Sequence, residues 1–440
     1  MFNHKLQILG LGRCIIGHMA KYVNEHTELM VDFQHHYLLN YETIIHSNVT
    51  CKDMENFSEI VSMPRFHDQW CCLDNIEKYD VCAIEIFPSA PLYTNNFNRL
   101  FACFESYTEQ LKDVGFKPYV GNTKDYIITL ENLVHEIRSR NNTIKIIFVN
   151  GELAREEDGN FIGSNDLYNI LDTLKKSNLV EYDFVKLLDM NSLIDTLEKN
   201  NQIVFEMAFP YLYLRRIKNK NTLVVARDCK HAIPEVRRSF LQLFFELIFS
   251  LKLPLIEIEK IHFDNIQHDF SYQKRALSYL TTLKYENAIE TNCPKEFSLI
   301  ASYALVIQDD LITKKIEEFI KIFSSKYPMK AIDLKDKFYF IRTISAFMYS
   351  NTSLSLIDDL CEMGFRILSL EHKDLQPYMN FALLWLLDIA TILLHFKTKC
   401  YYTSNEKMTS FFHTLSANNN FNIYSEIEVL IKNYKDLNER

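Results

Sequence analysis

The chain has 440 residues, of which 48 are Lys or Arg and 57 are Asp or Glu, a net charge of −9. That balance excludes a generally basic surface that tracks nucleic acid, and 48% hydrophobic with 24% charged residues is a globular composition that excludes long disorder. Nine glycines, about 2% against a usual ~7%, leave few positive-φ turns, which disfavours an all-β sandwich or propeller and favours helices joined by polar turns.

Length gives a prior of about two to three domains. Residues 5–11 (KLQILGL) read as a strand, and residues 13–24 then take helical spacing. A short strand is expected over 28–33 and a buried strand over 79–87 (YDVCAIEIF). An amphipathic helix over 123–140 precedes a strand over 143–150 (TIKIIFVN). Residues 164–176 are helical again, residues 182–188 extended, and residues 221–227 (NTLVVAR) a strand. The helix over 234–251 carries Pro234 in its first turn, where a missing N–H costs little. Residues 254–258 (PLIEI) read as a last strand. Strands alternating with helices imply parallel pairing and a sheet covered on both faces.

After about Ser271 no β-rich run follows. Helical periodicity dominates over 273–283, 296–308, 313–325, 333–349, 353–370, 377–396, 406–416 and 423–438, without a consistent repeat period. The chain therefore reads as an α/β fold: a doubly wound parallel-sheet domain over 1–280, then an all-α domain over 281–440. The apolar stretch 378–396 has the length of a membrane span, but Asn380, Asp388 and His395 inside it make it a buried helix. The opening residues are too short and broken an apolar run for a signal peptide. The ten cysteines contain no Cys-x-x-Cys pair, so no metal site is expected, and a chain of this length has no need of disulfides. The expected compartment is a reducing cytoplasm.

Two segments carry chemistry. In the first, Gly10-Leu11-Gly12-Arg13-Cys14 leaves a strand, turns on glycine and enters a helix. Cys14 then lies near a helix N-terminus at the carboxyl edge of a parallel sheet, where ligands bind in open α/β folds and where N–H groups face an anion. Arg13 is a candidate for binding an anionic substrate group. The third glycine of a dinucleotide fingerprint is displaced to Gly17, which makes a nucleotide site the weaker reading. In the second segment, Glu259 precedes His262 by three residues just past the strand over 254–258, with Asp264 and His268 beyond. An acid so spaced orients and polarises a histidine as a general base. Asn150, at the end of another strand, and Arg227, at the head of Arg227-Asp228-Cys229-Lys230-His231, are candidates to line the same cleft. The bland alternatives are a buried Cys14 packing helix on sheet and a polar turn after Arg227.

The strand–Gly-x-Cys–helix opening and the late strand–acid-x-x-His–helix resemble the first and last blocks of the SGNH (GDSL-type) hydrolase superfamily. Those blocks carry Gly-Asp-Ser and Asp-x-x-His, and some branches, including enzymes of bacterial surface-polysaccharide synthesis, open with Gly-Ser-Cys or Gly-Asn-Cys. Gly12, Arg13 and Cys14 match the opening, and Glu259 with His262, or Asp264 with His268, matches the last block. The resemblance spans roughly residues 5–280. It departs from the family in having Arg13 at the middle position and no Gly-x-Asn-Asp block after 79–87, where the chain reads Pro88-Ser89-Ala90-Pro91.

The resemblance implies a three-layer α/β/α sandwich and an acyl-ester hydrolase or acyltransferase of glycan or surface-polysaccharide metabolism. Cys14 is then the nucleophile, His262 or His268 the base, and Glu259 or Asp264 its orienting acid. The substrate is a small molecule or glycan, and an acyltransferase takes a coenzyme A thioester as donor. No other cofactor and no nucleic-acid partner is implied. The alternative is a non-catalytic, degenerate domain that binds a ligand through Arg13, its helical half a platform for a protein partner or a second copy.

Overall fold

The computed structural model describes residues 5–25, 30–46, 49, 53, 57, 72–97, 99–103, 108–119, 126–216, 223–251, 278, 294–307, 310–326, 342–351, 354–399, 406–421 and 425–439. The chain divides into two compact units, Met1–Leu197 with Pro234–His268, and Glu198–Ile233 with Asp269–Arg440. The cut expected at 280 falls outside the described residues. Residues 198–233, read from sequence as part of the first domain, group with the helices.

The strands of the first unit are β1 (Leu6–Gly12), β2 (Val31–Tyr37), β3 (Val81–Glu85), β4 (Leu92–Thr94), β5 (Leu100–Ala102), β6 (Lys117–Pro118), β7 (Lys145–Asn150), β8 (Arg155–Glu157), β9 (Asn160–Ile162) and β10 (Val185–Asp189). Five of them form an all-parallel sheet in the order β10-β7-β3-β1-β2. The three central strands are covered on both faces, so each reads as a nearly continuous apolar run. On one face Leu9, Leu11, Cys82, Ile84, Ile146 and Phe148 pack with the Tyr126–Arg140 and Asn165–Lys175 helices. Ser164 caps the second of these through Leu167 N–H. On the other face lies helix α1 (Cys14–Glu25). A Cβ on Gly10 would stand 2.4 Å from Ile16 Cγ2 and 2.7 Å from Phe33, so glycine lets α1 sit close on the sheet. The Pro234–Ser250 helix covers the same face, with Phe244 stacked on Phe33 at 5.9 Å between centroids.

Sequence reading misses two small sheets, β5-β4-β6 and the β8–β9 hairpin, because strands of two or three residues carry no periodicity. The strand over 254–258 and the helix over 273–283 fall on residues outside the description, apart from helical Ser278.

Among the described residues of the second unit the helices are Pro294–Ile307, Asp310–Lys326, 342–351, Ile357–Leu368, Met379–Lys399, Glu406–Ala417 and Ser425–Asn438, with short helices at Phe205–Ala208 and His372–Leu375. The strand expected over 221–227 forms, but not in the parallel sheet. β11 (Leu212–Arg216) and β12 (Leu223–Arg227) pair antiparallel with each other. So short a connection permits only a hairpin, since a parallel partner needs a crossover of a dozen residues or more. Leu212 N–H donates to Thr343 Oγ1 at 3.0 Å, which fastens the hairpin to the 342–351 helix. Among the described residues no helix is long and apolar enough to cross a membrane. The apolar stretch 378–396 is a helix whose Trp385, Leu386, Ile389 and Leu393 are buried.

Asp388 on that helix is buried and receives Arg342 Nε at 2.9 Å. Burial pushes its carboxyl up to about 6, although Arg342 pulls the other way. The native state therefore holds this proton more tightly than the unfolded chain. Its contribution to stability is full below the ordinary carboxylate range and is lost as pH rises through about 6. Thermal melts across that window should show a falling component, worth on the order of 3 kcal/mol, that is absent in Asp388→Asn. Parallel wild-type and variant profiles would remove Asp388 as its source.

Candidate functional site

In the order β10-β7-β3-β1-β2 the chain proceeds from β1 outward to β2 and then returns to β3 on the other side. The carboxyl ends of β1 and β3 thus mark the switch point at which open α/β sheets place their ligands. Gly12, Arg13 and Cys14 leave β1 there.

The first turn of α1 lacks a capping side chain of its own, since Arg13 offers no acceptor. Glu85, the last residue of β3, supplies one. Its Oε2 accepts Arg13 N–H at 2.7 Å and Ile16 N–H at 3.2 Å. Glu85 is only 5% exposed. An anion at a helix N-terminus is favourable, and more so in a partly buried setting. The contact depends on Gly12, where a Cβ would stand 2.4 Å from Glu85 Cβ and 2.7 Å from Oε2.

Arg13 turns away from the helix. Its Nη2 donates to Leu39 O at 3.1 Å and Pro88 O at 2.8 Å, and its guanidinium lies 4.1 Å from the Phe87 ring centroid. It ties together the segments that follow β2 and β3. Tyr41, fully buried, directs its hydroxyl at Leu11 O (3.1 Å) and Glu85 O (2.5 Å), bridging the ends of β1 and β3. Burial, then the neighbouring Tyr126 and Glu85, holds this phenol well above the usual tyrosine range, so it stays a donor.

Cys14 is exposed, which removes the buried-core alternative. Among the described residues no partner is found for the N–H groups of Cys14 and Ile15, two of the four orphan donors of α1. The chain leaving β7 reaches the same turn, because a Cβ on Gly151 would stand 2.2 Å from Ile15 Cγ2. Asn150 lies at this edge, but its amide is committed to Glu152 O at 2.9 Å and Asp189 Oδ1 at 2.8 Å. His18 stands one turn below Cys14 on the exposed face of α1, and His35 Nε2 donates to Gly12 O at 3.1 Å.

Glu259, His262, Asp264 and His268 lie outside the described residues. Arg227 belongs to the second unit, where it is fastened rather than free. Nη1 donates to Glu206 O at 3.0 Å, Phe209 O at 2.7 Å and Ser302 Oγ at 2.5 Å, and burial lowers its pKa. Just beyond it, Asp228 and His231 repeat the acid-x-x-His spacing at the carboxyl end of β12, and there His231 Nδ1 lies 2.8 Å from Asp228 Oδ2. Burial works to raise the Asp228 carboxyl, but the His231 hydrogen bond and charge, with Lys230, leave it below its ordinary range. This pair was open to a sequence reading through its spacing alone. Glu85 was signalled too, as the one acid inside the apolar run from Val81 to Phe87.

Gly12→Ala should destabilise the first unit by about 1–3 kcal/mol, because the new methyl group displaces Glu85 from the helix N-terminus. Denaturant unfolding followed by near-ultraviolet absorption checks it, and an unchanged midpoint would mean that Glu85 yields without loss. No protein-family model matches the chain, and no curated protein matches it.

Proposed function

We propose that the protein is an SGNH-like acyl-ester hydrolase or acyltransferase whose nucleophile is Cys14. One observation carries the reading: an exposed thiol at the first turn of α1, at the switch point, beside two unspent backbone N–H donors. Such donors stabilise the oxyanion that forms when a thiolate adds to an acyl carbonyl. In the proposed cycle a histidine takes the Cys14 proton and the sulfur attacks the ester carbonyl. The alcohol leaves with that proton, and a thioester remains on Cys14. Water completes a hydrolysis; an acceptor hydroxyl completes a transfer, with a coenzyme A thioester as the donor instead of an ester. Small-molecule and glycan acyl esters follow from the same resemblance, and a reducing cytoplasm follows from cysteines without a Cys-x-x-Cys pair in a chain of this length. His262 and His268 are the candidates for the base, with Glu259 or Asp264 as its orienting acid.

A second reading, a domain without catalysis beside a helical partner platform, has its own support. Arg13 and Asn150 are committed to neighbouring backbone and side chains, which leaves fewer groups to hold a substrate and takes Arg13 away as a ligand contact.

Incubation with p-nitrophenyl acetate should leave one acetyl group on Cys14, read by peptide mass spectrometry, and Cys14→Ala should lose turnover by about 10²-fold or more. Alkylation of Cys14 against pH in His262→Ala and His268→Ala identifies the base as the variant in which labelling slows. A thiol that reacts like that of the unfolded chain in all of them, and takes no acetyl group, sinks the enzymatic reading in favour of the second.

A further inference from the structure

The β11–β12 hairpin has strands of five residues, too short to be stable alone in water. Residues 224–226 of β12 are only half-buried, so apolar burial contributes little there. Two neighbouring residues of the 342–351 helix hold β11. Thr343 Oγ1 accepts Leu212 N–H at 3.0 Å, and the Arg342 guanidinium lies 5.0 Å from the Tyr213 ring centroid. Arg342 also donates from Nε to Asp388 Oδ2 at 2.9 Å. One arginine thus joins the hairpin to a buried carboxyl of the Met379–Lys399 helix.

The seam between these two helices is short of hydrogen bonds. Ser345, one turn beyond Arg342, and Trp385, one turn before Asp388, bury Oγ and Nε1 with no hydrogen-bond partner among the described residues. Burial raises the Asp388 carboxyl to about 6, and Arg342 is the one charged group that acts on it among the described residues. The other helices packed on Met379–Lys399 bring no countercharge. Ile357–Leu368 turns Asp358 and Glu362 to solvent, keeps Arg366 beside Glu362, and sets Asp359 and Cys361 near Lys407. Ser425–Asn438 turns Glu428, Lys432, Lys435 and Asp436 to solvent, and its Tyr434 lies under Lys397. His395, two turns along from Asp388, packs on Tyr349 at 4.7 Å between centroids. The Arg342 side chain is 17% exposed and that of Asp388 6%, so water has its shortest way in along Arg342, where Tyr213 lies.

We propose that the hairpin is a pH-released latch: ionisation of Asp388 favours a state in which β11 detaches from the 342–351 helix and water enters along Arg342. The turn after β12 moves with it, because Asp228 N–H donates to Tyr211 O at 2.7 Å, and with that turn goes the Asp228–His231 pair. The closed form holds the Asp388 proton more tightly than the open form, in which the carboxyl returns toward 3.8. The latch is therefore firmest at acid pH and opens more often as pH rises through about 6. Linkage between these two values favours opening by about tenfold from pH 5 to pH 7.5.

Amide hydrogen exchange of the full chain, read by peptide mass spectrometry and corrected for intrinsic pH dependence, compares Leu212–Arg216 with the Met379–Lys399 helix. The hairpin should be less protected than the helix, and its protection should fall about tenfold from pH 5 to pH 7.5. In Asp388→Asn that fall should vanish. Thr343→Val, which removes the acceptor of Leu212 N–H, should lower hairpin protection at both pH values and keep the tenfold ratio. If Asp388→Asn does not fold, the wild-type profile and Thr343→Val decide. Hairpin protection equal to that of the helix means that global unfolding alone exposes Asp388, and it overturns the proposal. A hairpin that opens first but without pH dependence overturns it too.

Discussion

The edge of the first unit depends on one contact, the Glu85 carboxylate at the head of α1. It joins β3 to the turn after β1 across 72 positions of sequence. Without it, the N–H groups of Arg13 and Ile16 would lose their acceptor. The contact constrains its neighbours in turn. Gly12 has to lack a side chain, Arg13 has to send its guanidinium elsewhere, and Cys14 becomes the first residue whose side chain faces solvent. Tyr41 completes the arrangement by bridging the carbonyls of Leu11 and Glu85, where the ends of β1 and β3 would otherwise separate.

The same accounting narrows the chemistry available. Arg13 and Asn150 look like binding residues in sequence because both stand at strand exits and carry donors. In the fold each is consumed within its own neighbourhood. Among the described residues, the Cys14 thiol is exposed at this edge and no partner is found for the Cys14 and Ile15 N–H groups.

Much of the framework was legible. The runs at 5–11, 79–87 and 143–150 announce β1, β3 and β7 because a strand buried on both faces has no polar alternation to hide it. The helical half was legible from its period. Residues 221–227 show the limit, since their β-branched run is a strand in either setting, and only the partner decides between a parallel core strand and a hairpin. Gly-x-Cys after a strand marked the exit from β1, and the acid-x-x-His spacing occurs at 228–231 as well as at 259–262. Glu85 went unassigned because its partners are remote in sequence, and no local pattern encodes a contact between separate strand ends.

The Asp228–His231 pair sits on an element that would not be stable alone, since an isolated hairpin is marginal in water. The second unit corrects this at both strands. Thr343 accepts Leu212 N–H at 3.0 Å, the Arg342 guanidinium lies 5.0 Å from the Tyr213 ring, and Arg227 reaches Ser302 at 2.5 Å. Arg342 is itself held by buried Asp388, whose ionisation is costly. Burying two arginines and an aspartate is an expensive way to secure five residues of strand, when apolar packing would serve stability as well or better. What charged, directional contacts provide beyond apolar ones is orientation. The turn that follows β12 starts from a backbone fixed by hydrogen bonds, and that backbone sets where the Asp228–His231 contact forms.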